Sequence, residues 1–278
     1  MTRMLDLQIT GKCNLNCKFC CGAPRDIKCA EFEDVKKVVD KLSAVNVERI
    51  VITGGEPLIY PHFDDLVKYI KSKGIEIYLS TNAYFLDQHL DVVTQNVACV
   101  GLPLDGSYPE LCKDMTRELD QIETTIGAIE KIKSKNPNIK IKIGTVVSKK
   151  NIDDLKNIKQ ILENCKYKPN VWRLYEFSPL GTGLKNRQEF EITTKEFIEK
   201  TNQVMQSSIL DISTLTNEDS NDAYIFLHPN LDIILLTNDE YIKVGNAVEF
   251  SENDFENLFT SETKTLQNQD KNRKWLEK

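Results

Sequence analysis

The sequence has no run of about 18 apolar residues, the length a membrane-crossing helix needs, so no membrane span is expected. Its first residues, MTRMLDLQITGK, lack the apolar stretch and small-residue cleavage site of a secretory leader. The expected location is therefore cytoplasmic, where thiols stay reduced and cysteines point to metal binding or catalysis rather than to a disulfide framework. Histidine is scarce: 3 residues, scattered at His62, His89 and His228 and assigned no role. Positive charge is not in excess, since 36 Lys and Arg stand against 42 Asp and Glu, a net charge of −6. Residues 201–278 hold 6 basic against 14 acidic residues, which leaves 30 against 28 for residues 1–200. An extended nucleic-acid surface is not expected from that balance. Cysteine is absent after Cys165.

What remains is an ordinary globular chain of 278 residues, 40% hydrophobic and 28% charged, long enough to bury a large core. Short β-like runs alternate with helix-length segments. Strands are expected at Met4–Ile9, Arg49–Thr53, Ile75–Ser80, Val97–Leu104, Ile139–Val147 and Val171–Phe177. Helices are expected near Glu31–Val45, Asp64–Lys73, Phe85–Gln95, Leu119–Lys135 and Ile152–Asn164. Val35, Val38, Val39 and Leu42 recur at the spacing of one helix face. Such repetition predicts parallel strands joined by right-handed crossovers.

A doubly wound sheet and a barrel share that pattern. The unusual residues decide between them. They fall after every strand but the fifth: a cysteine-rich loop, then GGEP, TN, DG and SPLG. A flat sheet concentrates its site at one switch point, whereas a barrel uses the carboxyl ends of many strands. The expected fold is α/β, a partial (β/α)6 TIM-type barrel over residues 1–183. Residues 184–278 are expected to form a small C-terminal segment covering it. There a helix is expected near Lys195–Gln206, and Tyr224–Leu236 reads as two strands around the turn His228-Pro229-Asn230. The polar end, about 251–278, is expected to be helical or partly disordered.

Of the 8 cysteines, 5 lie between Cys13 and Cys29. Cys13, Cys17 and Cys20 form a C-x3-C-x2-C array. Thiolates suit zinc, Cu(I) or iron–sulfur clusters. A [4Fe–4S] cluster normally takes four cysteines, so three would leave one iron open to a non-protein ligand. A zinc site would need Cys21 or Cys29 as a fourth ligand, without the usual second C-x2–4-C pair.

The segment CNLNCKFC resembles the signature of the radical S-adenosylmethionine (radical SAM) superfamily, with Phe19 at its aromatic position. Gly54-Gly55-Glu56-Pro57 resembles the family's motif after the second strand, and Asn82 and Asp105 stand at similar third- and fourth-strand ends. The resemblance implies a [4Fe–4S] cluster on Cys13, Cys17 and Cys20, with S-adenosylmethionine (SAM) near Phe19, Gly54, Gly55, Glu56, Asn82 and Asp105. It further implies reductive cleavage of SAM and hydrogen abstraction by a 5′-deoxyadenosyl radical. Pro103 replaces a serine of many relatives. Thr145, Ser148, Asn151 and Phe177–Gly181 would by resemblance edge the SAM site, although Asn151 equally fits a helix cap.

With no cysteines after Cys165, a second cysteine-bound cluster is not expected. WRLYEFSPLGTGLKN and DAYIFLHPN are loosely similar to segments of viperin-like single-cluster members. The expected substrate is a small molecule such as a nucleotide, with a ribosomal peptide or a non-catalytic zinc protein as alternatives. The expected partner is an electron donor such as flavodoxin or ferredoxin. Cys112 is a candidate hydrogen donor, Arg117, Lys149 and Lys150 are candidate phosphate ligands, and Arg173 is a candidate anion ligand if its face of the strand points inward. No role is assigned to Cys21, Cys29, Cys99 or Cys165, and no catalytic side chain is identified.

Overall fold

A computed structural model of the protein describes residues 2–262 and 268. The six expected strand–helix units are all present. They run β1 (Met4–Gln8), α1 (Phe32–Ala44), β2 (Arg49–Thr53), α2 (Phe63–Ser72), β3 (Glu76–Ser80), α3 (Leu86–Asn96) and β4 (Cys99–Pro103). A short α4 (Pro109–Asp114) precedes α5 (Gln121–Lys135), β5 (Lys140–Val147), α6 (Leu155–Asn164) and β6 (Val171–Glu176). Two short helices follow, α7 (Gly181–Lys185) and α8 (Arg187–Phe190), then α9 (Thr194–Met205). The remainder is β7 (Ile212–Leu215), α10 (Asn217–Ser220), β8 (Ile225–Leu227), β9 (Asp232–Thr237), β10 (Glu240–Asn246) and α11 (Glu252–Ser261).

The strands form one sheet in the order β10-β9-β8-β1-β2-β3-β4-β5-β6-β7. Pairing is parallel from β8 through β1 to β7, and antiparallel for β8–β9 and β9–β10. Alternation along each strand sends successive side chains to opposite faces. Leu5, Leu7, Ile50, Ile52, Ile77 and Leu79 face the helices, where they meet Val35, Val38, Val39 and Leu42 of α1. Met4, Val51, Tyr78, Cys99 and Val171 face the other way and pack together as one cluster.

That second cluster separates a barrel from a flat sheet. Met4 lies on β1 and Val171 on β6, five strand spacings apart in the sheet order. The strands between them contribute Val51, Tyr78 and Cys99, and all five residues are buried although no helix residue belongs to their cluster. The sheet itself therefore covers that face, by curling upon itself. It does not close, because among the described residues no pairing joins β7 to β8. The fold is an open, partial (β/α) barrel. β7 and β8 widen the expected six strands at both edges; β8 and β9 are the two strands expected in Tyr224–Leu236, while the pairing of β8 with β1 and of β7 with β6 is long-range and not set by local patterning.

The C-terminal residues are fastened to the barrel's outer layer. The polar end, expected to be helical or partly disordered, is helical where it is described: α11 is a regular helix with a Ser251–Asp254 capping box, and residues 263–267 and 269–278 lie outside the described residues. Phe255 is fully buried. Arg3 forks onto Glu256 with two 2.7 Å hydrogen bonds, its guanidinium 5.6 Å from the Phe259 ring centroid. No helix among the described residues is long and apolar enough to cross a membrane. Phe255→Ala is expected to cost about 3–5 kcal/mol in urea unfolding. Glu256→Gln, at the exposed ion pair, is expected to move the midpoint much less.

Candidate functional site

The carboxyl ends of β1 to β6 surround a cavity of about 680 Å³. Its rim is the cysteine loop. Cys13, Cys17 and Cys20 all line it, with Phe19 between the last two. Phe19 is buried and meets Phe190 edge-on at 5.7 Å, and Phe190 stacks on Phe177 at 5.8 Å. This aromatic group anchors the loop to the segment after β6.

Each of the three sulfurs accepts an N–H. The Leu15 amide donates to Cys13 Sγ at 3.4 Å, the Gly22 amide to Cys20 Sγ at 3.4 Å, and Arg117 Nη1 to Cys17 Sγ at 3.4 Å. Burial pushes the Cys13 and Cys17 thiols up, while the Arg117 charge pulls Cys17 the other way. N–H donors turned onto sulfur suit the negative charge of ligated thiolates. The donor set therefore fits an iron–sulfur cluster.

The glycine pair after β2 is explained by contact with this loop. The Gly55 amide donates to Thr10 O at 2.7 Å and the Glu56 amide to Lys12 O at 2.9 Å. A Cβ on Gly55 would lie 2.1 Å from Lys12 O, and one on Gly54, at φ +147°, would lie 2.5 Å from Thr10 O. The resemblance implies SAM near these glycines; the close approach seen here is that of the cysteine loop's own backbone. Both glycines line the cavity.

Glu56 is nearly fully buried, yet lines the cavity. Its carboxylate accepts from Thr81 Oγ1 at 2.5 Å, from the Asn82 amide at 2.7 Å and from the Leu58 amide at 3.1 Å. Three of about four acceptor positions are thus taken within the protein, leaving about one for a ligand. Asn82 lines the cavity too; its Nδ2 donates to Asn14 Oδ1 at 2.8 Å and approaches Cys13 Sγ at 3.8 Å.

Asp105 stands differently. It is fully buried and does not line the cavity. One carboxylate oxygen accepts from Arg117 Nε at 2.8 Å, the other from the Val146 amide at 2.8 Å. Arg117 reaches the cavity in its place. Thr145, Ser148 and Asn151 are also off the cavity wall. Asn151 Nδ2 donates to Asp105 O and Val146 O, both at 2.9 Å, stitching the ends of β4 and β5 together. Cys112 is buried with its Sγ toward Gly106 O at 3.7 Å, off the cavity wall, so it is not positioned to return a hydrogen atom.

The inward face of β6 is the one carrying Arg173 and Tyr175. Tyr175 lines the cavity beside Lys142, whose Nζ donates to its Oη at 3.1 Å, and Arg173 lies behind the Tyr175 ring at 5.5 Å. Lys142, Tyr175 and Tyr241 were missed as site residues. Alternation along β5 signals Lys142, since it shares an inward face with Gly144. Nothing local signals Tyr241, which arrives from β10 and donates to Cys21 O at 2.6 Å.

Comparison with known proteins agrees with this architecture. The sequence matches the Radical SAM superfamily over residues 7–162. It is 30% identical to the GTP 3′,8-cyclase of Clostridium perfringens (strain SM101) over 208 residues, 69% of this chain and 62% of that one. The chain thus spans about 62% of that relative's length. It is 24% identical to the S-adenosylmethionine-dependent nucleotide dehydratase of Flammeovirga pacifica over 257 residues, 86% of this chain and 87% of that one. Among solved structures, anSMEcpe with bound AdoMet superposes with a TM-score of 0.69 at 15% identity, covering 93% of this chain and 80% of that one. Streptococcus suis SuiB bound to its precursor peptide SuiA gives 0.68 at 18% identity, covering 90% and 63%.

Gly55→Ala is expected to push the Thr10–Lys12 backbone off the end of β2 and lower the iron retained per chain after anaerobic reconstitution. Iron and sulfide counts beside a thermal melt check it; iron retained at the level of the unsubstituted chain would contradict the contact.

Proposed function

The chain belongs to the radical SAM superfamily, whose enzymes work with a [4Fe–4S] cluster and SAM, and we propose that it is a single-cluster member acting on a small, anionic, nucleotide-like substrate. The observation that carries this reading is one continuous cavity with three thiols at its rim and Lys142 and Tyr175 on its wall.

Cys13, Cys17 and Cys20 are the residues that would hold the cluster, leaving one iron for SAM. Bound together, cluster and SAM supply reductive SAM cleavage and hydrogen abstraction through a 5′-deoxyadenosyl radical. All else falls to the chain. Phe19, Gly54, Gly55, Glu56 and Asn82 bound the side of the cavity nearest the thiols and offer SAM an apolar wall, exposed backbone and acceptor oxygens. Asp105 acts behind them by holding Arg117. Lys142 presents an ammonium group to the cavity with the Tyr175 hydroxyl fixing its direction, which suits a phosphate oxygen.

Residues 1–183 would carry the cofactors and residues 184–278 would cover the opening. Tyr241 from β10 and Lys185 from α7 support this division: both line the cavity, Tyr241 where it donates to Cys21 O of the cysteine loop. Cover matters because an organic radical reacts with whatever lies near it. The electron would come from a small donor protein such as flavodoxin or ferredoxin. A nucleotide substrate is favoured over a peptide by the sequence relatives: the match to the nucleotide dehydratase runs through most of both chains, whereas the peptide-bound neighbour shares the fold at 18% identity.

The test is anaerobic reconstitution followed by a 5′-deoxyadenosine assay with each nucleoside triphosphate in turn. One nucleotide is expected to stimulate SAM cleavage. For that nucleotide Lys142→Ala is expected to raise KM about 10- to 100-fold, the equivalent of one hydrogen bond to a charged group at about 1.5–3 kcal/mol. Stimulation by a peptide and by no nucleotide would overturn the substrate assignment.

A further inference from the structure

Arg117 lies between α4 and α5, and its guanidinium is held from three sides. Nε donates to Asp105 Oδ2 at 2.8 Å, Nη1 donates to Cys17 Sγ at 3.4 Å, and the carbon of the group sits 4.9 Å from the Phe19 ring centroid. Asp105 cannot swing, because its second oxygen is held by the Val146 amide and Gln121 Nε2 reaches the first at 3.4 Å. The Arg117 side chain is only 15% exposed.

A buried Arg–Asp pair stabilises a fold little more than apolar residues of the same volume would. Stability alone therefore does not explain a cation fixed against a sulfur. Hydrogen bonds to ligand sulfurs and nearby charge set the potential of an iron–sulfur cluster, and both act strongly where water is excluded. Reduction adds negative charge to the cluster. A donor and a positive charge at a ligand sulfur stabilise that added charge, so they raise the potential.

We propose that Arg117 is a positioning residue that raises the reduction potential of the cluster through Cys17, with Asp105 and Phe19 fixing its guanidinium in place. The inference rests on Cys17 being a cluster ligand. Without Arg117 the external donor would have to deliver its electron against a more negative potential.

The experiment compares the full-length chain with Arg117→Gln and Arg117→Lys after anaerobic reconstitution. Iron and acid-labile sulfide are counted first. The reduced cluster is then followed by EPR during a reductive titration. Glutamine keeps a donor but loses the charge, and its midpoint is expected to fall. Lysine keeps the charge but cannot fork onto both Asp105 and Cys17, so a smaller fall is expected. A purely structural Asp105–Arg117 pair would lower the melting temperature and leave the midpoint where it is. An unchanged midpoint in either variant that carries the cluster overturns the inference and leaves the cluster assignment standing. Failure of the unsubstituted chain to bind iron and sulfide overturns the assignment beneath it.

Discussion

The site depends on one contact between two stretches of backbone. Thr10–Lys12, at the root of the cysteine loop, lies directly on Gly54–Glu56 at the end of β2, with amide-to-carbonyl bonds of 2.7 and 2.9 Å. No side chain fits between them. The loop therefore leaves β1 in a set direction, and Cys13, Cys17 and Cys20 arrive at the rim of the barrel rather than at its outside. Glycine weakens strands elsewhere for want of packing and for excess freedom in the unfolded chain. Here that cost is offset by the approach it permits.

Around this contact the strand ends are tied in sequence. Glu56 from β2 accepts from Thr81 and Asn82 after β3, and Asn82 reaches back to Asn14 of the loop. Asp105 after β4 holds Arg117, which touches Cys17. Asn151 after β5 bonds the backbone of Asp105. Gly183 after β6 donates to Cys20 O at 3.1 Å, and Lys18 pairs with Glu189 at 3.0 Å. Buried polar groups are costly unless satisfied. A circle of mutually satisfied groups makes the rim a rigid frame for the loop, while Lys142 and Tyr175 line the cavity wall and Tyr241 ties β10 to the loop at Cys21 O.

Much of this was legible in the sequence because its signals are local. Helix faces such as Val35, Val38, Val39 and Leu42 and strands such as RIVIT follow from period and composition. The C-x3-C-x2-C spacing marks the three thiols without any knowledge of the fold. The barrel itself followed from where the unusual residues fall, and the single cavity lined by the ends of β1 to β6 and the superposition on anSMEcpe bear it out. What stayed hidden is long-range. Arg117 meets Cys17 across 100 residues, and Tyr241 meets Cys21 across 220. Asp105 and Glu56 were legible as acidic residues at strand ends, but whether a carboxylate faces the cavity or a neighbouring backbone depends on partners that no single segment contains. Pairing of β7 with β6 and of β8 with β1 is hidden for the same reason.

The central claim is that three cysteines, and no fourth, hold a cluster with one iron open to the cavity. EPR of the dithionite-reduced, reconstituted chain, recorded before and after SAM is added, tests it most directly. The account predicts a [4Fe–4S] signal whose shape changes when SAM binds, and the same behaviour in Cys21→Ser and Cys29→Ser. A spectrum indifferent to SAM, or a cluster lost with either substitution, would contradict it.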